Sequence, residues 1–101
     1  MSKSRAVQRH HNDVAELGCV LCDLLDNGRP PAQLHHLREG QGMAQRSSDW
    51  LVVPLCPECH QGPCGVHGDH SLLRVAGVEE LDLLAETMRR LRQEAARRMR
   101  W

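Results

Sequence analysis

The chain of 101 residues contains no phenylalanine, no tyrosine and only two tryptophans. Aromatic rings bury the most surface per side chain, so any core here must be aliphatic and thin. No apolar run approaches the roughly 18 to 20 residues that a membrane span needs. The N-terminal residues lack the charged segment followed by an apolar one that marks a secretory leader. Together these absences predict a soluble, intracellular chain with no membrane partner. Net charge is also missing: thirteen basic side chains balance thirteen acidic ones. The balance is uneven along the chain, because from Arg89 to Trp101 six arginines face only Glu94. Such asymmetry marks a basic face or tail suited to a polyanion. A solvated helix end that satisfies its own dipole is the plainer reading of the same residues.

The length predicts one small domain, 1–101. A small domain with a thin core commonly needs a staple, either a metal or disulfides. The chain has five cysteines and seven histidines. Four of the five cysteines form two Cys-x-x-Cys pairs, Cys19/Cys22 and Cys56/Cys59, with 33 residues between the pairs. An odd count in this spacing favours one structural zinc over a disulfide framework. Two residues between thiolates let a tight turn aim both sulfurs at one tetrahedral ion. A redox pair is the minority alternative, since no βαβ pattern surrounds either motif.

Three segments are predicted, an N-terminal helix over 1–18, a metal-stapled core over 19–70 and a helical region over 71–101. Lys3 to Leu17 has no Pro or Gly, places Val7, Val14 and Leu17 near a helical period, and stops at Gly18. His10 and His11 fall within it, as exposed helix histidines or as ligands or phosphate contacts. Asp26 to Pro31 is turn chemistry, and Ala32 to Leu37 reads as a short strand. Leu51-Val52-Val53 reads as a buried strand ended by Pro54. Cys56 to Gln61 should open a helical turn, with Pro57 at a tolerated first-turn position. A glycine-rich loop carrying Cys64, His67 and His70 follows. From Gly77 on, Val78, Leu81, Leu84, Met88, Leu91 and Ala95 step by three or four. That pattern predicts a helix of about 20 residues with one apolar stripe.

With four thiols committed to zinc, His35, His60 and His67 form the best set for a second metal. Neighbouring side chains on a strand face opposite ways. His35 and His36 therefore cannot both serve one ion, and one of them is left to address a water or a substrate. His60 could instead replace a cysteine at the first ion, and His67 could be a surface residue of its loop. An all-imidazole site suits zinc or nickel, whereas magnesium prefers oxygen ligands.

The order Cys-x-x-Cys, His-His on a strand, then Pro54-Leu55-Cys56-Pro57-Glu58-Cys59-His60 resembles the HNH, or ββα-metal, endonucleases. The later Gly65-Val66-His67-Gly68 and the Ser48-Asp49-Trp50 before the second strand narrow the likeness. Within that superfamily the chain is most similar to the phage recombination-enhancement nucleases, the RecA-dependent Ref type, and their small phage and prophage relatives. The resemblance spans Cys19 to about Asp69. It implies an α+β fold, a small zinc-stapled ββα-metal, treble-clef-like domain with flanking N- and C-terminal helices. It implies structural zinc on Cys19, Cys22, Cys56 and Cys59, and a catalytic divalent ion (zinc, magnesium, manganese or nickel) on His35, His60 and His67. His36 takes the general-base position. The middle Asn of the motif is missing, and Asp49 lies in that region, either orienting His36 or capping the strand. The implied activity is hydrolysis of DNA phosphodiester bonds to 5′-phosphate and 3′-hydroxyl ends. The implied setting is phage recombination or DNA processing in the cytoplasm of a bacterial or phage-infected cell, with a RecA-type filament as partner. Arg38, Arg46 and the C-terminal arginines, among them Arg89, Arg90 and Arg97, are the expected DNA contacts. The alternative is a non-catalytic zinc module that binds nucleic acid or protein on the same scaffold.

Overall fold

The computed structural model describes residues 4–37 and 48–99. Helix α1 spans Arg5–Glu16. It starts where the Ser4 hydroxyl accepts the Val7 amide at 3.1 Å, a side-chain cap for an otherwise unpaired donor. It ends before Gly18, whose φ of 76° is the left-handed conformation that stops a helix cheaply only at glycine. Its buried residues are Val7, His11 and Val14, so one of the two helix histidines lies on the inward stripe.

Helix α2, Val20–Leu24, is capped by Cys19, whose sulfur accepts the Cys22 amide at 3.3 Å. Strands β1 (Gln33–His36) and β2 (Val52–Leu55) form a two-stranded antiparallel sheet. The register pairs Gln33 with Leu55, Leu34 with Pro54, His35 with Val53 and His36 with Val52. Pro54 thus lies inside β2 rather than ending it. A two-stranded sheet leaves each strand one open edge, where a residue without an N–H costs no ladder bond.

Helix α3, Pro57–Gln61, begins directly after Cys56 with Pro57 in its first turn. Helix α4, Ser71–Ala76, follows the glycine-rich loop and opens the region expected to be helical. Asp69 Oδ1 accepts the Ser71 amide at 2.9 Å and starts it, and Gly77 at φ 73° ends it. Helix α5 spans Glu80–Arg98. Its entry is a capping box in which Glu79 accepts a first-turn amide while Asp82 Oδ2 accepts the Glu79 amide at 2.8 Å.

The sheet carries the core on the face bearing Leu37, Val53 and Leu55. Against it pack Val20 and Leu21 of α2, Leu73 of α4, Leu83 of α5, and Val66 with Cys19, Cys56 and Cys59. Among the described residues no tryptophan enters this core. Helix α1 lies against both strands and touches His36 on the other face. The apolar stripe of α5 is rotated from the one expected. Leu83 and Thr87 are buried, while Leu81 and Met88 are 53% and 56% exposed. Period alone could not set that phase, because Leu83 and Leu84 sit side by side and only docking chooses between them. The same docking buries Arg90 to 8% exposure. Among the described residues no helix is long and apolar enough to cross a membrane.

Candidate active site

Cys19 caps α2, Cys22 lies one turn in, Cys56 precedes α3 and Cys59 lies one turn in. Each Cys-x-x-Cys therefore puts both sulfurs at one helix start. The sheet brings the two starts together, so that the four sulfurs all lie within 4.8 Å of one another. Cys22 Sγ is 3.6 Å from both Cys56 Sγ and Cys59 Sγ. A tetrahedron with zinc–sulfur bonds of about 2.3 Å has sulfurs about 3.8 Å apart, so the four thiols fit one structural zinc. As bare thiols they are poorly matched. Burial pushes Cys22 up to about 12 and also pushes Cys59 up. Burial opposes ionisation of Cys56 too, but the Cys59 amide and neighbouring thiols outweigh it and lower that group. A dication relieves this conflict by holding all four as thiolates.

Three imidazoles form a second group. His35 on β1, His60 on α3 and His67 on the following loop each bring a ring nitrogen within 4.8 Å of the others. Their ring centroids are 4.8 to 5.2 Å apart. The loop is folded back by backbone bonds: the Val66 amide donates to the Cys59 carbonyl at 2.9 Å, and the His67 amide donates to the His60 carbonyl at 3.1 Å. Gly65 makes this approach possible, since a Cβ there would collide with the Cys59 carbonyl. His35 and His60 are buried, and His67 is exposed. Burial lowers the His60 pKa, and the neighbouring His35 and His67 lower it further. The ring is thereby kept neutral, the state in which imidazole offers a lone pair.

The third group was not foreseen as a unit. His36 faces away from His35, beside Asp49 and His11, and their potential ligand atoms also lie within 4.8 Å of one another. His36 Nε2 is 3.7 Å from Asp49 Oδ1, a charge contact rather than a hydrogen bond. Both side chains are about two-fifths exposed. His11, at 2% exposure, bonds through Nε2 to the Asp49 carbonyl at 2.7 Å and meets the His36 ring edge-on. His10 Nε2 holds the next carbonyl, that of Trp50, at 3.1 Å. The two α1 histidines thus fix the turn that carries Asp49. One signal for His11 was available: it continues the Val7–Val14 stripe at helical spacing. Gln33 and Glu80, which contact His60 and His35 respectively, carried no such signal.

The expected DNA contacts divide. Arg38 and Arg46 lie outside the described residues. Arg89 is exposed and paired with Glu86, and Arg97 is exposed and paired with Glu94 at 2.8 Å. Arg90, by contrast, is buried between two carboxylates. Its Nε donates to Glu86 Oε2 at 2.7 Å. Its Nη1 is 2.7 Å from Asp23 Oδ2, close enough for an ion pair but not aligned as a hydrogen bond. Of the residues without an assigned role, Cys64 is exposed and apart from the thiol cluster, and His70 is the left-handed residue that precedes α4.

The search of curated proteins and the search of solved structures found no match. A family model described as recombination enhancement, RecA-dependent nuclease, matches residues 4–91. That span takes in every residue of the three clusters, along with α1 and the first two-thirds of α5. This chain, with its paired cysteines and divided histidines, belongs to the family of RecA-dependent nucleases that act in recombination enhancement.

Proposed function

We propose that the chain is a metal-dependent endonuclease of the HNH type, which hydrolyses DNA phosphodiester bonds from a single ββα-metal domain spanning 1–101. The observation that carries this reading is the division of two adjacent histidines by β1. His35 joins a three-imidazole cluster, while His36 turns to Asp49 and His11. The β1–β2–α3 order, with a cysteine cluster beneath it, supports the fold assignment.

His36 is the general base. It is exposed enough to meet a water, and imidazole ordinarily titrates near pH 6.5. It takes the water proton as the oxygen attacks phosphorus in line and the bond to the 3′ oxygen breaks, the 3′ oxygen taking a proton from solvent to become the hydroxyl. Asp49 favours the resulting imidazolium, as a carboxylate at ion-pair distance does. His35, His60 and His67 hold the divalent ion, which when bound supplies positive charge against the phosphate and the leaving oxygen. Arg89 and Arg97 lend charge along the DNA backbone, because exposed ion pairs such as theirs are weak enough for a phosphate to displace the carboxylate.

Nicking of supercoiled plasmid with added divalent ions, and with RecA and single-stranded DNA present, tests the proposal. His36→Ala is expected to cut cleavage by about 10²–10⁴-fold at unchanged metal content. Equal cleavage by wild type and His36→Ala removes His36 as the base. No cleavage with any ion, RecA filaments included, leaves a zinc-stapled binding module instead.

A further inference from the structure

His35 Nε2 lies 2.6 Å from Glu80 Oε1, and His60 Nδ1 lies 2.9 Å from Gln33 Oε1. The partners are 45 and 27 residues apart in sequence, so neither contact follows from local helix or strand geometry. Glu80 stands between the two residues of the α5 capping box, Glu79 and Asp82, yet takes no part in it. Its carboxylate reaches out of the helix start to β1. Gln33 lies two residues before His35, on the same strand face, and its side chain leans toward α3.

The chemistry of these oxygens is restrictive. An ionised carboxylate can only accept, and the amide oxygen of Gln33 can only accept. The proton of each contact therefore sits on the imidazole, on Nε2 of His35 and on Nδ1 of His60. A neutral ring has one lone-pair nitrogen left, Nδ1 for His35 and Nε2 for His60. The two buried histidines of the cluster are thus each locked in a single tautomer by an oxygen from another side chain.

We propose that Glu80 and Gln33 are positioning residues of the histidine-held ion, fixing the lone pairs of His35 and His60 before the ion arrives. This rests on the reading that His35, His60 and His67 bind a divalent ion. Outer partners of this kind set ring orientation and ligand basicity, and their loss typically weakens metal binding about 10–100-fold. Glu80 adds a negative charge beside the site, so its loss should cost more than that of Gln33. The arrangement also gives α5 a part in the site, by way of its first residue.

The test is cobalt(II) titration of the full chain, with competition from a chromogenic chelator. Sulfur-to-cobalt absorption reports the thiol site, and the remaining ligand-field bands report the imidazole site. Glu80→Ala is expected to weaken the imidazole site by about 10–100-fold and Gln33→Ala by about 10-fold. Glu80→Gln, which keeps an accepting oxygen but not the charge, should recover the share a neutral acceptor supplies, about 10-fold. The thiol site should be unaffected in all three variants. A purely structural ion pair would lower the unfolding midpoint of Glu80→Ala and leave cobalt affinity at wild-type strength, and that result overturns the proposal. Gln33 is exposed, so Gln33→Ala still decides the question if Glu80→Ala fails to fold. Wild type that takes cobalt at the thiols alone overturns the metal reading itself, and this is seen before any variant is made.

Discussion

At the residue scale, the site depends on which way a few imidazoles face. His11 is buried and makes a 2.7 Å bond to the carbonyl of Asp49, the residue beside His36. Its removal should let the Asp49 turn shift, and misplacement by about 1 Å can cost about 10²-fold in rate. We expect His11→Ala to lose cleavage on that scale while both metals stay bound. Nicking rates compared with zinc content check this, and His11→Gln, which keeps a donor, should recover part of the loss. His60 supplies a pH dependence. Its folded pKa is below the ordinary 6.5, so the unfolded chain takes up the proton more readily. The contribution to stability is therefore full above pH 6.5 and drains as pH falls through the lower folded value. His60→Gln should flatten that slope in denaturation midpoints of protein lacking the second ion. Cys64→Ser should change neither metal content nor cleavage, since Cys64 is exposed and outside the thiol cluster.

At the element scale, α5 is fastened by an arginine rather than by leucines alone. Arg90 sits between Glu86 on its own helix and Asp23 on α2. Glu86 is held at about 2, chiefly by its hydrogen bond to Arg89 and also by Arg90. Arg90→Ala would remove the buried cation that joins Glu86 to Asp23 and leave each acid only its more exposed arginine, Arg89 and Arg29 respectively. The expected cost is about 2–4 kcal/mol, somewhat below that of a fully buried pair because both acids keep some solvent. Urea denaturation measures it. DNA affinity of the folded variant should stay at the wild-type value, whereas Arg97→Ala should weaken binding and reduce its salt dependence. Helix α4 was legible only as part of a helical region and not as a separate helix, because its start signal is Asp69 accepting the Ser71 amide just after a glycine-rich loop. The stripe of α5 was visible but its phase was not, since adjacent leucines fit either rotation equally well.

At the scale of the molecule, the thiol cluster substitutes for the aromatic core that the chain lacks. Three cysteines belong to the buried core itself, and each Cys-x-x-Cys ties a helix start to the sheet. Apparent zinc binding at structural sites is worth about 10–16 kcal/mol, comparable with the whole stability of a small domain, about 5–15 kcal/mol. Stripping the metal with a strong chelator should therefore unfold the protein cooperatively. Loss and recovery of the circular dichroism signal on chelation and zinc addition would show it. Cys59→Ser should behave like the stripped chain.

The sequence by itself determined the ligand chemistry and its local placement. The Cys-x-x-Cys spacing, Pro57 at a helix start, and two adjacent histidines on a strand dictate geometry within a few residues, because turn and strand periods are fixed by the backbone. It also determined, through the missing aromatics, that something other than a large core must hold the fold. Only the tertiary structure decided that His11 from α1 would stand beside His36, that Glu80 from α5 would meet His35, and that Arg90 would be buried against Asp23. Those contacts join residues 25 to 67 positions apart. They follow from how helices dock on a two-stranded sheet, where burial and charge pairing summed over the whole surface choose the rotation of each helix.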